Sequence, residues 1–254
     1  MEIVDNFDNF FYEKKRYKKC KWSSKYKGHL IRSDIRVHEI CSWIITKSIK
    51  NQKTIKILDL AAGSGAFLHR IIDNLPSDIN IEITANDFEN QITYKYKQLK
   101  ITCEDINTVD SQFWSNKYGF YDVILALEII EHLDYGYNLF KIFNNTLSND
   151  GFALLSSPNN NSALDRYNFI RYGHEIYFGE RGYKNSGGHL QPCPEWLIKN
   201  YAERLKLKFH YTFIPLIESI RIITFLKSIF PFLIAKKNHR KGLNAAINIW
   251  LIYK

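Results

Sequence analysis

The stretch Ile55-Lys56-Ile57-Leu58-Asp59-Leu60-Ala61-Ala62-Gly63-Ser64-Gly65-Ala66-Phe67 decides the fold. Its first six residues form a short apolar run of the kind a buried strand needs, and residues 66–75 read as a helix. Between them lie only small residues. Glycines there let the backbone turn tightly and approach a ligand closely. Strand, glycine turn and helix in that order place a binding crevice at the strand's carboxyl end.

Four further runs fit the same scheme: IEITAND (81–87), LKITCED (99–105), YDVILALEII (121–130) and GFALLSSPN (151–159). The fourth strand, YDVILALEII, is apolar enough to be central in a parallel sheet. Strands separated by helix-length segments predict an α/β, Rossmann-like, doubly wound sheet. LKLKFHYTF (205–213) alternates strictly, with Leu205, Leu207, Phe209, Tyr211 and Phe213 on one face. With AINIWLIYK (246–254) it completes an expected seven-stranded, mostly parallel sheet with an antiparallel C-terminal strand. Helices are expected at about 33–50 and at 195–204, the latter opened by Pro194.

The length of 254 residues suits one domain. Residues 1–32 read as an aromatic, lysine-rich arm or lid, and 33–160 as the binding core. Residues 161–254 read as a substrate-side segment that carries the last strands and a 214–241 insertion. A hydrophobic fraction of 45% and a charged fraction of 24% describe an ordinary globular protein. The net charge of +9 admits an anionic substrate, nucleic acid or acidic membrane surface without choosing among them. Cys20, Cys41, Cys103 and Cys193 show no metal spacing and read as free thiols of a reducing, cytoplasmic compartment. No signal layout or spanning apolar run is evident.

The acid Asp87 ends the second strand, 22 residues after Gly65, a spacing that suits a carboxylate on ribose hydroxyls. The third glycine of a dinucleotide fingerprint is replaced by Leu68, and no GK[ST] follows as in a P-loop. Taken together, ILDLAAGSGAF, ANDF, CEDI and YDVILALEIIEHL resemble the first four motifs of class I S-adenosylmethionine-dependent methyltransferases. LSNDGFALLSSPN resembles the segment around their fifth strand, and the resemblance runs over roughly residues 33–213. It implies S-adenosylmethionine as cofactor. Gly63 and Gly65 would line its methionine part, Asp59 would orient its amino group, and Asp87 would accept from its ribose. Phe88 would lie against the adenine and Asp105 would meet the adenine amino group. Leu127 would line the sulfonium side, and Ala61 and Ile106 complete the implied set.

Methyl transfer is an in-line displacement with a neutral leaving group. The protein therefore mainly positions the acceptor and, where needed, removes its proton. Glu128, Glu131 and His132 form E-x-x-E-H after the fourth strand and would share one helix face. Two carboxylates and an imidazole there can hold Mg²⁺ or Mn²⁺. A second polar cluster follows the fifth strand: Ser157-Pro158-Asn159, Arg166, Arg171, His174 and Gly187-Gly188-His189. Sugar- and quinone-type O-methyltransferases show a similar PN segment followed by a histidine. Magnesium-dependent RNA 2′-O-methyltransferases combine E-x-x-E-H with a later histidine. Glu128, Glu131, His132 and His189 are therefore one candidate metal set. His132, His189 and His174 are also candidate catalytic groups in a metal-free reading.

Base N-methylating enzymes carry [DN]PP[YFW] where this chain has LEII, and cytosine C5 enzymes place Pro-Cys there, whereas Pro192-Cys193 follows the fifth strand. The expected reaction is O-methylation of a small anionic or sugar-derived acceptor, as in bacterial surface-polysaccharide synthesis. RNA ribose and a non-catalytic scaffold are the competing readings. The apolar stretch within 214–241 and the basic residues Lys236, Lys237, Arg240 and Lys241 suit packing on the body of the protein. They also suit a peripheral contact with an anionic membrane.

Overall fold

In chain order the elements are α1 (Arg32–Ser48), β1 (Thr54–Asp59), α2 (Ala66–Asp73), β2 (Asn80–Asn86), β3 (Leu99–Thr102), α3 (Phe113–Tyr118), β4 (Tyr121–Leu127), a 3₁₀ turn (Ile130–His132), α4 (Gly136–Thr146), β5 (Leu147–Pro158), α5 (Ala163–Tyr172), α6 (Gly179–Asn185), α7 (Glu195–Arg204), β6 (Lys208–Pro215) and β7 (Ala245–Tyr253). They come from a computed structural model that describes residues 32–49, 54–96, 98–185, 188–215, 243 and 245–254. The expected N-terminal arm apart from Arg32, and all but the first two residues of the 214–241 stretch, lie outside the described residues. Among the described residues no helix is long and apolar enough to cross a membrane.

The seven strands form one sheet in the order β3-β2-β1-β4-β5-β7-β6. β1 to β5 pair in parallel, and β7 runs antiparallel to both its neighbours. The expected sheet is thus the one observed. Strand alternation assigns side chains to two cores. Val123, Leu125 and Leu127 of β4 face α1 and α2, together with Ile57 and Leu154. Ile124 and Ala126 face the other way, onto Trp114, Phe140, Phe143 and Ile198 of α3, α4 and α7. Helices on both faces of a largely parallel sheet make a three-layer sandwich.

Boundaries moved in two instructive places. β5 begins at Leu147, where it pairs with Tyr121, four residues before the expected start at Gly151, and the register is irregular there. β6 begins at Lys208, because Lys206 adopts a left-handed φ of 58° that breaks the alternating run.

The order of winding reverses between β1 and β4. Their carboxyl ends, Asp59 and Leu127, therefore flank the crevice in which open α/β sheets bind ligands.

Candidate active site

Two clusters sit at this crevice. The first surrounds the glycine turn after β1. Gly63 and Gly65 both have positive φ, at 52° and 82°, so the sequence supplies glycine where L side chains are strained. Gly65 donates its N–H to Ala62 O at 2.7 Å and opens α2. A Cβ built on Gly63 meets no atom within 4 Å, so the turn faces open space. The Gly63 N–H donates to Asp87 Oδ2 at 2.6 Å. The acid expected to hold a ribose therefore also braces the turn.

Asp59 is buried and accepts from the Ala61 N–H at 3.3 Å. Burial pushes its carboxyl up to about 7, the Ala61 N–H pulls back against that, and the Asp87 charge adds to the rise. A cationic amino group placed here would restore the ionised form. Phe88 stands 73% exposed at the end of β2, where a flat apolar ligand could cover it. Asp105 accepts from the Asn107 N–H at 2.9 Å. Ile106 is buried, and its carbonyl accepts from Asn138 Nδ2 at 2.7 Å.

Asn86 was not singled out in the sequence. It is fully buried, donates to Leu60 O at 3.2 Å and Glu104 O at 3.0 Å, and accepts from Thr102 Oγ1 at 2.8 Å and the Glu104 N–H at 2.9 Å. All four hydrogen-bonding capacities of the amide are spent on tying the ends of β1, β2 and β3 together. A lone amide at the end of the apolar run ITAND was the available signal.

The second cluster lies past β4. Glu128, Glu131 and His132 do not share a helix face. The segment is a single 3₁₀ turn of three residues, and Glu128 precedes it with a φ of 53°. For an L-residue that conformation costs about 1–2 kcal/mol. The Leu190 and Gln191 N–H groups donate to Glu131 O at 2.8 and 3.3 Å, and Gln191 Nε2 donates to Leu133 O at 2.9 Å. These bonds fasten the segment before α7 to the turn and bring His189 against it. The His132 and His189 rings meet edge-on at 4.7 Å, and His189 Nε2 lies 4.0 Å from Glu131 Oε1. Donor atoms of Glu131, His132 and His189 all fall within 4.8 Å of one another. Glu128 lies outside this trio, with Oε1 accepting from Ser156 Oγ at 2.6 Å. His174 also lies outside it, its Nδ1 2.8 Å from Glu175 O.

Glu131 is completely buried, and among the described residues neither carboxylate oxygen makes a hydrogen bond of good geometry, its own N–H and the Ser157 hydroxyl easing its charge only in part. Burial, and then the Glu128 charge, hold its carboxyl well above the usual range. His189 is lowered to about 4 by burial and then by His132, so it is neutral at pH 7. Cys193 is buried, and burial pushes its thiol up to about 12, which removes it as a nucleophile at neutral pH.

A stability prediction follows from Glu131. A glutamate raised on folding contributes stability that is present below its unfolded pKa, here 4.5, and is lost as pH rises through the folded value. Glu131→Gln should therefore raise the Tm of the cation-free protein at pH 8 by about 2–4 °C. The gain should shrink toward pH 4.5. Scanning calorimetry with EDTA at both pH values checks this, and an equal or negative shift at pH 8 would contradict it.

Residues 31–207 match a family model described as a methyltransferase domain. No curated protein matches the sequence. Among solved structures, the fold is similar to a SAM-dependent methyltransferase from Archaeoglobus fulgidus. That match has 15% identity and a TM-score of 0.55, covering 98% of this chain and 100% of that one. The fold is similar also to the plantazolicin methyltransferase BpumL in complex with SAH, at 16% identity and a TM-score of 0.56, covering 88% and 86%. A third similar structure is the cyclopropane synthase MmaA2 from Mycobacterium tuberculosis, at 11% identity and a TM-score of 0.52, covering 87% and 84%.

Proposed function

Because the chain belongs to the class I S-adenosylmethionine-dependent methyltransferases, we propose that it methylates an oxygen of a small anionic or sugar-derived acceptor, with Glu131, His132 and His189 holding a divalent cation. The observation that carries this reading is the buried Glu131 carboxylate, without a well-formed hydrogen bond among the described residues, beside two imidazoles. A buried carboxylate without hydrogen bonds is costly unless a cation meets it. With ligand atoms within 4.8 Å of one another, Glu131, His132 and His189 are the residues that would hold a divalent cation such as Mg²⁺ or Mn²⁺. A cation there would act as a Lewis acid toward an acceptor hydroxyl, which supports an oxygen acceptor.

The metal-free reading is weaker on physical grounds. A general base works best with a pKa near the working pH, and at about 4 His189 is a poor acceptor of an alcohol proton. The same neutral ring is ready to ligate a cation.

When bound, S-adenosylmethionine supplies the methyl group, and the cation holds the acceptor oxygen and lowers its pKa. The chain's residues do the rest. Gly63 gives close backbone approach, Asp87 accepts from the ribose, and Asp59 answers the cofactor's amino group. Leu127, buried at the end of β4, keeps water from the sulfonium side. Glu131, His132 and His189 fix the acceptor end.

Asp87→Ala should weaken S-adenosylmethionine binding about 10–100-fold, since a hydrogen bond to a charged group contributes about 1.5–3 kcal/mol. Asp87→Asn keeps an acceptor for the Gly63 N–H and should lose less. Unchanged affinity in calorimetry would remove Asp87 from the cofactor site. The reaction itself is tested by a screen with methyl-labelled S-adenosylmethionine over nucleotide sugars, phosphorylated metabolites and RNA ends. A methyl ether on a small acceptor, formed only with Mg²⁺ or Mn²⁺, is expected. Methylation of RNA ribose alone would replace the small acceptor, and an N- or C-methyl product would overturn the oxygen assignment.

A further inference from the structure

Ser156 holds Glu128, in its left-handed conformation, at both backbone and carboxylate. The Glu128 N–H donates to Ser156 O at 3.2 Å and to Ser156 Oγ at 3.1 Å. The same Ser156 hydroxyl donates to Glu128 Oε1 at 2.6 Å. Ser156 is the register partner of Leu127 on the adjacent strand, and it is fully buried. A buried serine satisfied for its own sake needs one partner. Here the hydroxyl gives its proton and a lone pair to a single residue, and so fixes both that residue's backbone and its carboxylate. Glycine or asparagine would occupy φ 53° at less cost, so strain is being kept in order to carry this carboxylate. Glu128 stands three residues before Glu131, where the chain leaves β4 for the 3₁₀ turn that carries Glu131 and His132.

We propose that Ser156 is a positioning residue of the acceptor site, holding the Glu128 carboxylate at the rim of the Glu131, His132 and His189 group as the second negative charge a divalent cation requires. The proposal rests on the cation reading above. Partners of a metal site's acids orient them, and their loss typically weakens metal binding 10–100-fold. A serine that only finishes the β4–β5 pairing would have no such effect.

The experiment is a Mn²⁺ titration of the full chain with S-adenosylhomocysteine present, read by calorimetry and by loss of the free-Mn²⁺ paramagnetic signal. Ser156→Ala should weaken Mn²⁺ binding at least 10-fold and leave S-adenosylhomocysteine affinity unchanged. In a Glu128→Gln background the same substitution should have little further effect, because the serine acts through Glu128. Glu128→Gly supplies a variant that relieves the backbone. It should raise the Tm and weaken Mn²⁺ binding, and it keeps the test open if Ser156→Ala folds poorly. Wild-type Mn²⁺ affinity in Ser156→Ala and Glu128→Gly would overturn the positioning role and leave the cation reading standing. A wild-type chain that binds no Mn²⁺ would overturn both.

Discussion

Gly63→Val is expected to lower S-adenosylmethionine affinity more than about 100-fold, or roughly 2.7 kcal/mol. The valine side chain would project into the open space in front of the turn, since no protein atom lies within 4 Å of a Cβ there. Two costs have to be separated. At φ 52° any L side chain is strained, by about 1–2 kcal/mol, and a β-branched one more so. That cost falls on folding and shows in the Tm. The steric cost falls on binding alone. Gly63→Ala carries most of the strain with little of the bulk, so it should lower the Tm comparably while losing much less affinity. Calorimetric titration and thermal melts on both variants make the comparison. Equal cofactor affinity in Gly63→Val and the wild type would remove the glycine turn from the cofactor site.

His189→Ala and His132→Ala are each expected to reduce turnover on the screened acceptor by about 10²–10⁴-fold. S-adenosylhomocysteine affinity should stay within about twofold, because neither ring belongs to the glycine-turn cluster. EDTA should abolish turnover in the wild type, and Mg²⁺ or Mn²⁺ should restore it. The pattern discriminates between mechanisms. Inactive histidine variants together with full wild-type activity in EDTA would leave the imidazoles as proton acceptors and remove the cation. Active variants would remove the trio from the chemistry altogether.

The sheet was legible because its signals are local. IKILDL, ITAND and VILAL are apolar runs whose length and flanking turns admit few other readings, and the glycine turn fixed which strand comes first at the crevice. The helices α3, α4, α5 and α6 were harder. α3 and α6 are short, and α5 leaves Phe169, Ile170 and Tyr172 exposed, so its apolar residues do not trace a buried face. The acceptor cluster was legible in composition but not in geometry. E-x-x-E-H has the spacing of a helix face, yet the chain leaves β4 through a left-handed residue and a single 3₁₀ turn. Only three of the four expected residues then converge. His189 reaches the trio through N–H bonds from Leu190 and Gln191 to the Glu131 carbonyl, a contact between segments nearly 60 residues apart that no local pattern encodes. Asn86 and Ser156 escaped notice for the same reason. Each is a common polar residue at a strand end, and its role exists only once neighbouring strands are in register.

The most direct test is anomalous diffraction at the manganese edge from crystals grown with S-adenosylhomocysteine and Mn²⁺. One manganese peak bonded to Glu131, His132 and His189 is expected, with the ribose against Asp87, the methionine part along Gly63 and the sulfur toward Leu127. Product bound elsewhere, or a manganese peak on other residues with none at this trio, would contradict the account.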